Sequence, residues 1–167
     1  MVVLAMIAAP IIEEISWRGY GVDSLRARFG MLAATVAFGA LWSLWHVPLL
    51  FMPGTYQHAV AGTGNPVFIA NFFVGGLPLA VLANWLYYRS DRSILIGMLF
   101  HAAGNASAEL LSATQTTKCI ATIVMTVVAI SLVVLDRRMF SAGPRNFVTD
   151  PAHVFDLSPG KLGQLPS

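Results

Sequence analysis

Charge is scarce in this chain. Charged residues make up 11% of its 167 positions and hydrophobic ones 56%, whereas a soluble domain carries about 25% charged residues. So little polar surface cannot cover a water-soluble globule, and lipid must face much of the molecule. No excess of either sign is present: the formal net charge is +2, with the basic residues set between apolar runs, and this balance excludes nucleic acid as a partner. Cysteine is nearly missing. The single Cys119 rules out an intrachain disulfide and reads as a small hydrophobe in an apolar run. No basic residue precedes the apolar stretch from Met1 to Ile12, and Glu13 and Glu14 stand where a cleavage site would want small residues. The stretch therefore reads as the outer half of a membrane helix and not as a secretory signal. Neither end carries a lipidation signature, and there is no internal repeat.

What is present is a series of apolar segments. A bilayer core of ~30 Å takes roughly 20 apolar residues per helix, and five segments meet or approach that length. Segment A runs from about Met1 to Leu25, B from Met31 to Phe51, C from Val67 to Tyr88, D from Ile94 to Leu111 and E from Cys119 to Leu135. Unpaired backbone groups in hydrocarbon cost several kcal/mol each, so these segments must be helices. The expected fold is an all-α, polytopic membrane bundle of about five transmembrane helices. A core over 1–140 is followed by a loosely structured cytosolic tail over 141–167, which is rich in proline and glycine.

The loops set an orientation. Arg26 and Arg28 follow A, Arg89 and Arg92 separate C from D, and Arg137, Arg138 and Arg145 follow E; the B–C loop has no Lys or Arg, and the D–E loop has only Lys118. The positive-inside rule then puts the N-terminus outside and the C-terminus in the cytoplasm of a bacterial cell. Prolines punctuate the helices. Pro10 should kink A one turn before the glutamates, and Pro48 should bend or end B just past His46. Gly75, Gly76 and Pro78 weaken the middle of C, with close helix packing as the simplest reason.

Ionisable side chains inside a bilayer are costly and face the protein interior or a wet cavity. Here they are confined to three segments: Glu13, Glu14 and Arg18 in A, His46 in B, and His101 and Glu109, with the amide Asn105, in D. Glu14 and Arg18 lie four apart in the favourable acid-before-base order. His101 and Asn105 are also four apart, on one side of D. Glu13 is rotated about 100° from Glu14, so one glutamate can pair with Arg18 while the other points elsewhere. Taken singly, each has an ordinary structural reading: Glu14–Arg18 as a clamp, His46 as a hydrogen-bonded packing residue, Asn105 as interhelical glue, and Trp17, Trp42 and Trp45 as packing or interface residues. His58 and His153 take no role, and the Asn105-Ala106-Ser107 sequon is discounted because it lies within a helix.

The combination carries more. Glu13-Glu14-Ile15-Ser16-Trp17-Arg18 resembles the EExxxR motif of the CAAX-protease and bacteriocin-processing (CPBP) family. Trp42-Ser43-Leu44-Trp45-His46 resembles its second motif, an aromatic followed four residues later by His, with Trp42 where Phe is usual. His101-Ala102-Ala103-Gly104-Asn105 resembles its third motif, HxxxN. All three appear in the family's order and on separate hydrophobic segments. The resemblance implies a helical membrane endopeptidase whose partners are the lipid bilayer and a peptide or protein substrate, prenylated for some members. Members generally have further membrane helices before the first motif, whereas here Glu13 follows only twelve residues. The chain thus reads as a minimal member or as a piece of a longer one.

By position in these motifs, Glu13 would be the general base on water and the later proton donor, and His46 would hold that water. His101 and Asn105 would steady the oxyanion, with Glu14 and Arg18 in support. Glu13, His46 and His101 would also supply a His/His/Glu set for zinc with one open position. The HExxH spacing of common zinc peptidases is absent, so the metal-free reading, with no cofactor, is favoured and zinc stays open. Two other classes stay open: a non-catalytic membrane scaffold or bacteriocin-immunity factor built on the same core, and a small ion or proton transporter. One tension concerns depth. His46 falls near the outer end of B while Glu13 and His101 sit nearer the middle, and about two helical turns must be absorbed.

Overall fold

The computed structural model describes residues 2–110 and 112–145, and side chains at positions 7–107 and 112–145. The side chain of Glu109 and the tail beyond position 145 lie outside that description. All five expected segments are helical. Segment A is a run of α1 (Val2–Ser16), a π-helical turn (Trp17–Gly21) and α2 (Val22–Arg26). Segment B is α3 (Met31–Trp45) followed by a 3-10 turn (Val47–Phe51), C is α5 (Pro66–Arg89), D is α6 (Ile94–Leu110) and E is α7 (Gln115–Leu135). Two further helices, α4 (Tyr56–Gly62) and α8 (Arg137–Phe140), occupy stretches the sequence presents as loops.

Local chemistry sets these boundaries. The Asn65 side chain accepts from the Val67 N–H at 3.0 Å, with Pro66 opening α5, a cap and first-turn pair that needs no other donor. Thr114 accepts from Thr117 N–H at 3.1 Å, which starts α7 one turn before the apolar run at Cys119. Thr55 caps α4 through His58 N–H. Pro48 has no N–H to give back to Leu44, and α3 ends at Trp45 before it. Pro10, by contrast, is carried inside α1, which continues through both glutamates to Ser16.

Among the described residues, three stretches are long and apolar enough to cross a membrane: Met31–Phe51, Pro66–Arg89 and Gln115–Leu135. Helix α6 has 17 residues, about 26 Å at ~1.5 Å per residue, and is apolar over Ile94–Ser107. Helix α1, which carries Glu13 and Glu14, and helix α6, which carries His101, pack on each other, while α5 packs against α3, α6 and α7. Packing at α5 is close: a Cβ on Gly76 would lie 2.1 Å from Ser43 Oγ on α3, and one on Gly75 would lie 3.2 Å from Thr122 Oγ1 on α7. The weak middle of α5 is therefore where its neighbours approach.

Polarity is inverted relative to a soluble protein. Glu14, Arg18, Asp23, Thr35 and Asn84 are buried, while Ile12, Ile15, Ile123, Val127 and Ile130 are exposed. Apolar surface facing outward and polar groups facing inward is the arrangement a lipid solvent favours. The chain is an integral membrane protein.

The two ends of the bundle also differ. At one end Arg92 binds Asp23, Arg89 binds Asp136, and Arg145 N–H donates to Arg26 C=O at 2.8 Å. At the other, Tyr56 Oη donates to Gln115 at 2.9 Å and the Lys118 ammonium sits 3.9 Å from the Tyr56 ring centroid. The three arginine-bearing connections thus share one end, and the two nearly neutral ones share the other. The tail expected to be loose from 141 onward is docked at its start. Ala142 C=O accepts from Met31 N–H at 2.9 Å, so this segment satisfies terminal groups of α2 and α3 that no intrahelical partner reaches.

Candidate active site

The first motif divides its two carboxylates. Glu14 faces inward: Arg18 Nη1 donates to its Oε1 at 2.8 Å, with the guanidinium fully buried and lying 4.6 Å from the Phe38 ring centroid. Glu13, about 100° round the helix, is half-buried and takes a hydrogen bond from the Trp42 indole, Nε1 to Oε2 at 2.9 Å. The pairing of one glutamate with Arg18 and the divergence of the other follow from helical spacing. The π-helical turn immediately after Ser16 contains Arg18 and Gly19, an insertion of the kind often found at functional sites.

The second glutamate also reaches across to α6. His101 Nδ1 lies 2.9 Å from Glu14 Oε1, so a single buried carboxylate serves both Arg18 and His101. Gly97, one turn before His101, makes the room: a Cβ there would stand 2.9 Å from Glu14 Oε2. Asn105 follows His101 by one turn on α6 and is half-buried.

His46 sits at the end of α3. Its own N–H has tightened onto Ser43 C=O at 3.1 Å, which leaves Trp42 C=O for the imidazole, Nδ1 to O at 2.7 Å. A carbonyl can only accept, so Nδ1 carries the hydrogen and Nε2 of the neutral ring keeps a lone pair. The His46 ring packs edge-on to Phe72 at 5.5 Å and to Trp42 at 5.9 Å. Trp42 also meets His101 edge-on at 5.4 Å. Helix α3 meets Glu13 of α1 and His101 of α6 through Trp42, one turn before His46.

Glu13, His46 and His101 are therefore gathered about one indole from three helices, with Glu14 and Arg18 behind them and Asn105 beside His101. Trp42 is the residue sequence reasoning passed over, because an indole in an apolar helix reads as packing. The available signal was its place at the head of the second motif, where an N–H donor replaces a plain phenyl ring. As arranged, no three His, Cys, Asp or Glu side chains among the described residues converge closely enough to hold a metal ion. The three residues considered for zinc do not form a ready-made set.

Fold and site together define a polytopic helical membrane protein with a buried carboxylate–imidazole centre. Residues 1–107 match the family described as type II CAAX prenyl endopeptidase Rce1-like. The chain is 37% identical over 139 residues to a CAAX prenyl protease 2 of Methanococcus maripaludis, an alignment taking in 83% of this chain and 51% of that protein. This chain belongs to the type II CAAX prenyl endopeptidase Rce1-like family. It spans about half the length of the curated relative it matches.

Proposed function

We propose that the chain is an intramembrane endopeptidase that hydrolyses a peptide bond with a water activated by Glu13. The observation that carries this reading is the meeting of Glu13, His46 and His101 around Trp42 in an otherwise apolar bundle. Glu13 Oε2 is held by the indole, leaving Oε1 to take a proton from water. The His46 Nε2 lone pair accepts the other hydrogen and orients the attack. Water oxygen adds to the scissile carbonyl, and the oxyanion is met by N–H donors from His101 and Asn105. His101 has an Nε2–H to offer as the imidazolium, with Nδ1–H donated to Glu14, or as the neutral Nε2–H tautomer accepting from a protonated Glu14. The C–N bond then breaks, and the proton held by Glu13 passes to the leaving amine. Water and peptide are consumed, and a carboxylic acid and an amine are formed.

We further propose a prenylated CAAX-type peptide as substrate, in line with the name of the Methanococcus relative, with the terminal tripeptide released. The N-terminus is outside and the C-terminus cytoplasmic, in a cytoplasmic membrane. The gathering of Arg26, Arg89, Arg92 and Arg145 at one end supports this orientation. The test is incubation of the chain in nanodiscs with a farnesylated CAAX-type peptide and with its unprenylated twin, reading the released tripeptide by mass spectrometry. Faster cleavage of the farnesylated peptide is expected. Equal cleavage of both removes the prenyl requirement and keeps the peptidase. Cleavage of neither puts the scaffold reading in its place.

A further inference from the structure

We propose that Trp42 is a positioning residue for this site, acting through its indole N–H on the Glu13 carboxylate. The inference rests on the reading of Glu13 as the base and adds to it a residue that neither touches substrate nor moves a proton.

Three features of Trp42 differ from those of a packing residue. The first is its hydrogen bond. Its Nε1 lies 2.9 Å from Glu13 Oε2, and an indole can only donate, so the bond fixes which oxygen is occupied and which is free. The second is the rigidity of the ring that carries the donor. Trp42 is 6% exposed and stacked on Phe38 at 5.9 Å and 13°, and Phe38 is held in turn by the edge of Trp17 at 5.6 Å. A carboxylate on a helix samples several rotamers; one tied to an immobile donor does not. The third is that the other partners of Trp42 are the other candidate residues. Its carbonyl holds His46 and its ring edge meets His101. A bicyclic isostere of the same shape without the N–H would keep the stack, the His101 edge contact and the main-chain carbonyl. It would lose only the hydrogen bond to Glu13.

That separation makes the test clean. The indole is replaced at position 42 alone by its benzothiophene isostere, site-specifically incorporated 3-benzothienylalanine, which preserves shape and stacking and removes the N–H. Turnover of the farnesylated peptide by the 167-residue chain in nanodiscs is measured beside parent and Glu13→Gln. The expected result is a fall in kcat of about tenfold or more, the lower range for loss of a hydrogen bond to a charged group. KM and the thermal midpoint stay close to the parent's. Trp42→Phe is expected to show the same kcat-against-KM pattern. An isostere that turns over like the parent, with Glu13→Gln inactive, overturns the role of Trp42 and leaves the base assignment intact. A Glu13→Gln chain as active as the parent overturns the base assignment, and the positioning role with it. A second measurement does not depend on activity. The Trp42 indole N–H proton resonance is expected to move upfield in Glu13→Ala as its acceptor is lost, and an unmoved resonance overturns the bond itself.

Discussion

Glu14 answers to Arg18 on its own helix and to His101 on α6, and the missing side chain at Gly97 lets it do both. A methyl group at position 97 would press on Glu14 Oε2, and a buried carboxylate with two partners has little freedom to retreat. Gly97→Ala is expected to lower stability by about 1–3 kcal/mol and to reduce turnover with it, whereas Gly104→Ala, whose Cβ would meet nothing within 4 Å, should lower neither. Thermal midpoints and initial rates in the same detergent decide it; equal behaviour of the two variants would contradict the shared-carboxylate geometry. At this scale the Glu14–Arg18 pair was legible because acid and base four apart on a helix must face one another. The bond from His101 to Glu14 was not, since sequence spacing says nothing of which faces two separate helices present to each other. The Glu13–Trp42 bond was hidden for the same reason, and also because tryptophan scores as apolar.

The helices owe their ends to local residues and their arrangement to a few polar ties between them. Asp23 at the base of α2 receives the hydroxyls of Tyr87 and Tyr88 from α5 and the guanidinium of Arg92 beyond it. The single Tyr87 hydroxyl hydrogen is shared between Asp23 Oδ2 at 3.2 Å and Arg18 C=O at 2.8 Å, so the helix that carries Glu13 and Glu14 is fixed lengthwise against α5. A parallel tie joins α5 to α7. Arg89 and the Trp85 indole both donate to Asp136, and chiefly the Arg89 hydrogen bond, aided by Trp85 and the Arg89 charge, holds the Asp136 carboxyl below the usual carboxylate range. A carboxyl depressed by folding adds stability above its unfolded value, about pH 4, and that contribution is lost as pH falls through the lower folded value. The gap in thermal midpoint between parent and Asp136→Asn should therefore narrow on acidification from about pH 5 to about pH 3; a gap that stays constant would show that Asp136 acts by packing alone. The long helices were legible because twenty apolar residues in lipid have one outcome. Helix α4 was not, because seven residues of mixed polarity carry no period, and its Thr55 cap reads equally well as a turn.

Among the described residues, apolar side chains face outward and the buried charges sit where three helices meet or where helices are tied at one end. The arginine loops and the neutral loops, separated along the chain, come together in space at opposite ends, which is what the alternation in sequence requires of a bundle with one cytoplasmic face. With Cys119 replaced by Ser, single cysteines at Thr63 and Ser158 report the orientation in intact cells. An impermeant maleimide should label position 63 and leave 158 untouched, and the reverse pattern would invert the bundle. The order of helices, the three motif segments and the residues they carry could all be read from sequence. That they converge on one indole could not, because close packing at the α5 glycines could be expected from sequence but which helices and side chains approach there, and at Gly97, could not. The central claim is that this convergence is a hydrolytic centre with Glu13 as its base. It is tested most directly by Glu13→Gln, a change that keeps an acceptor for the Trp42 indole and removes the proton-accepting carboxylate. The variant should be inserted at the parent's level and release no tripeptide from the farnesylated peptide; undiminished release at equal protein level would remove Glu13 from the role of base.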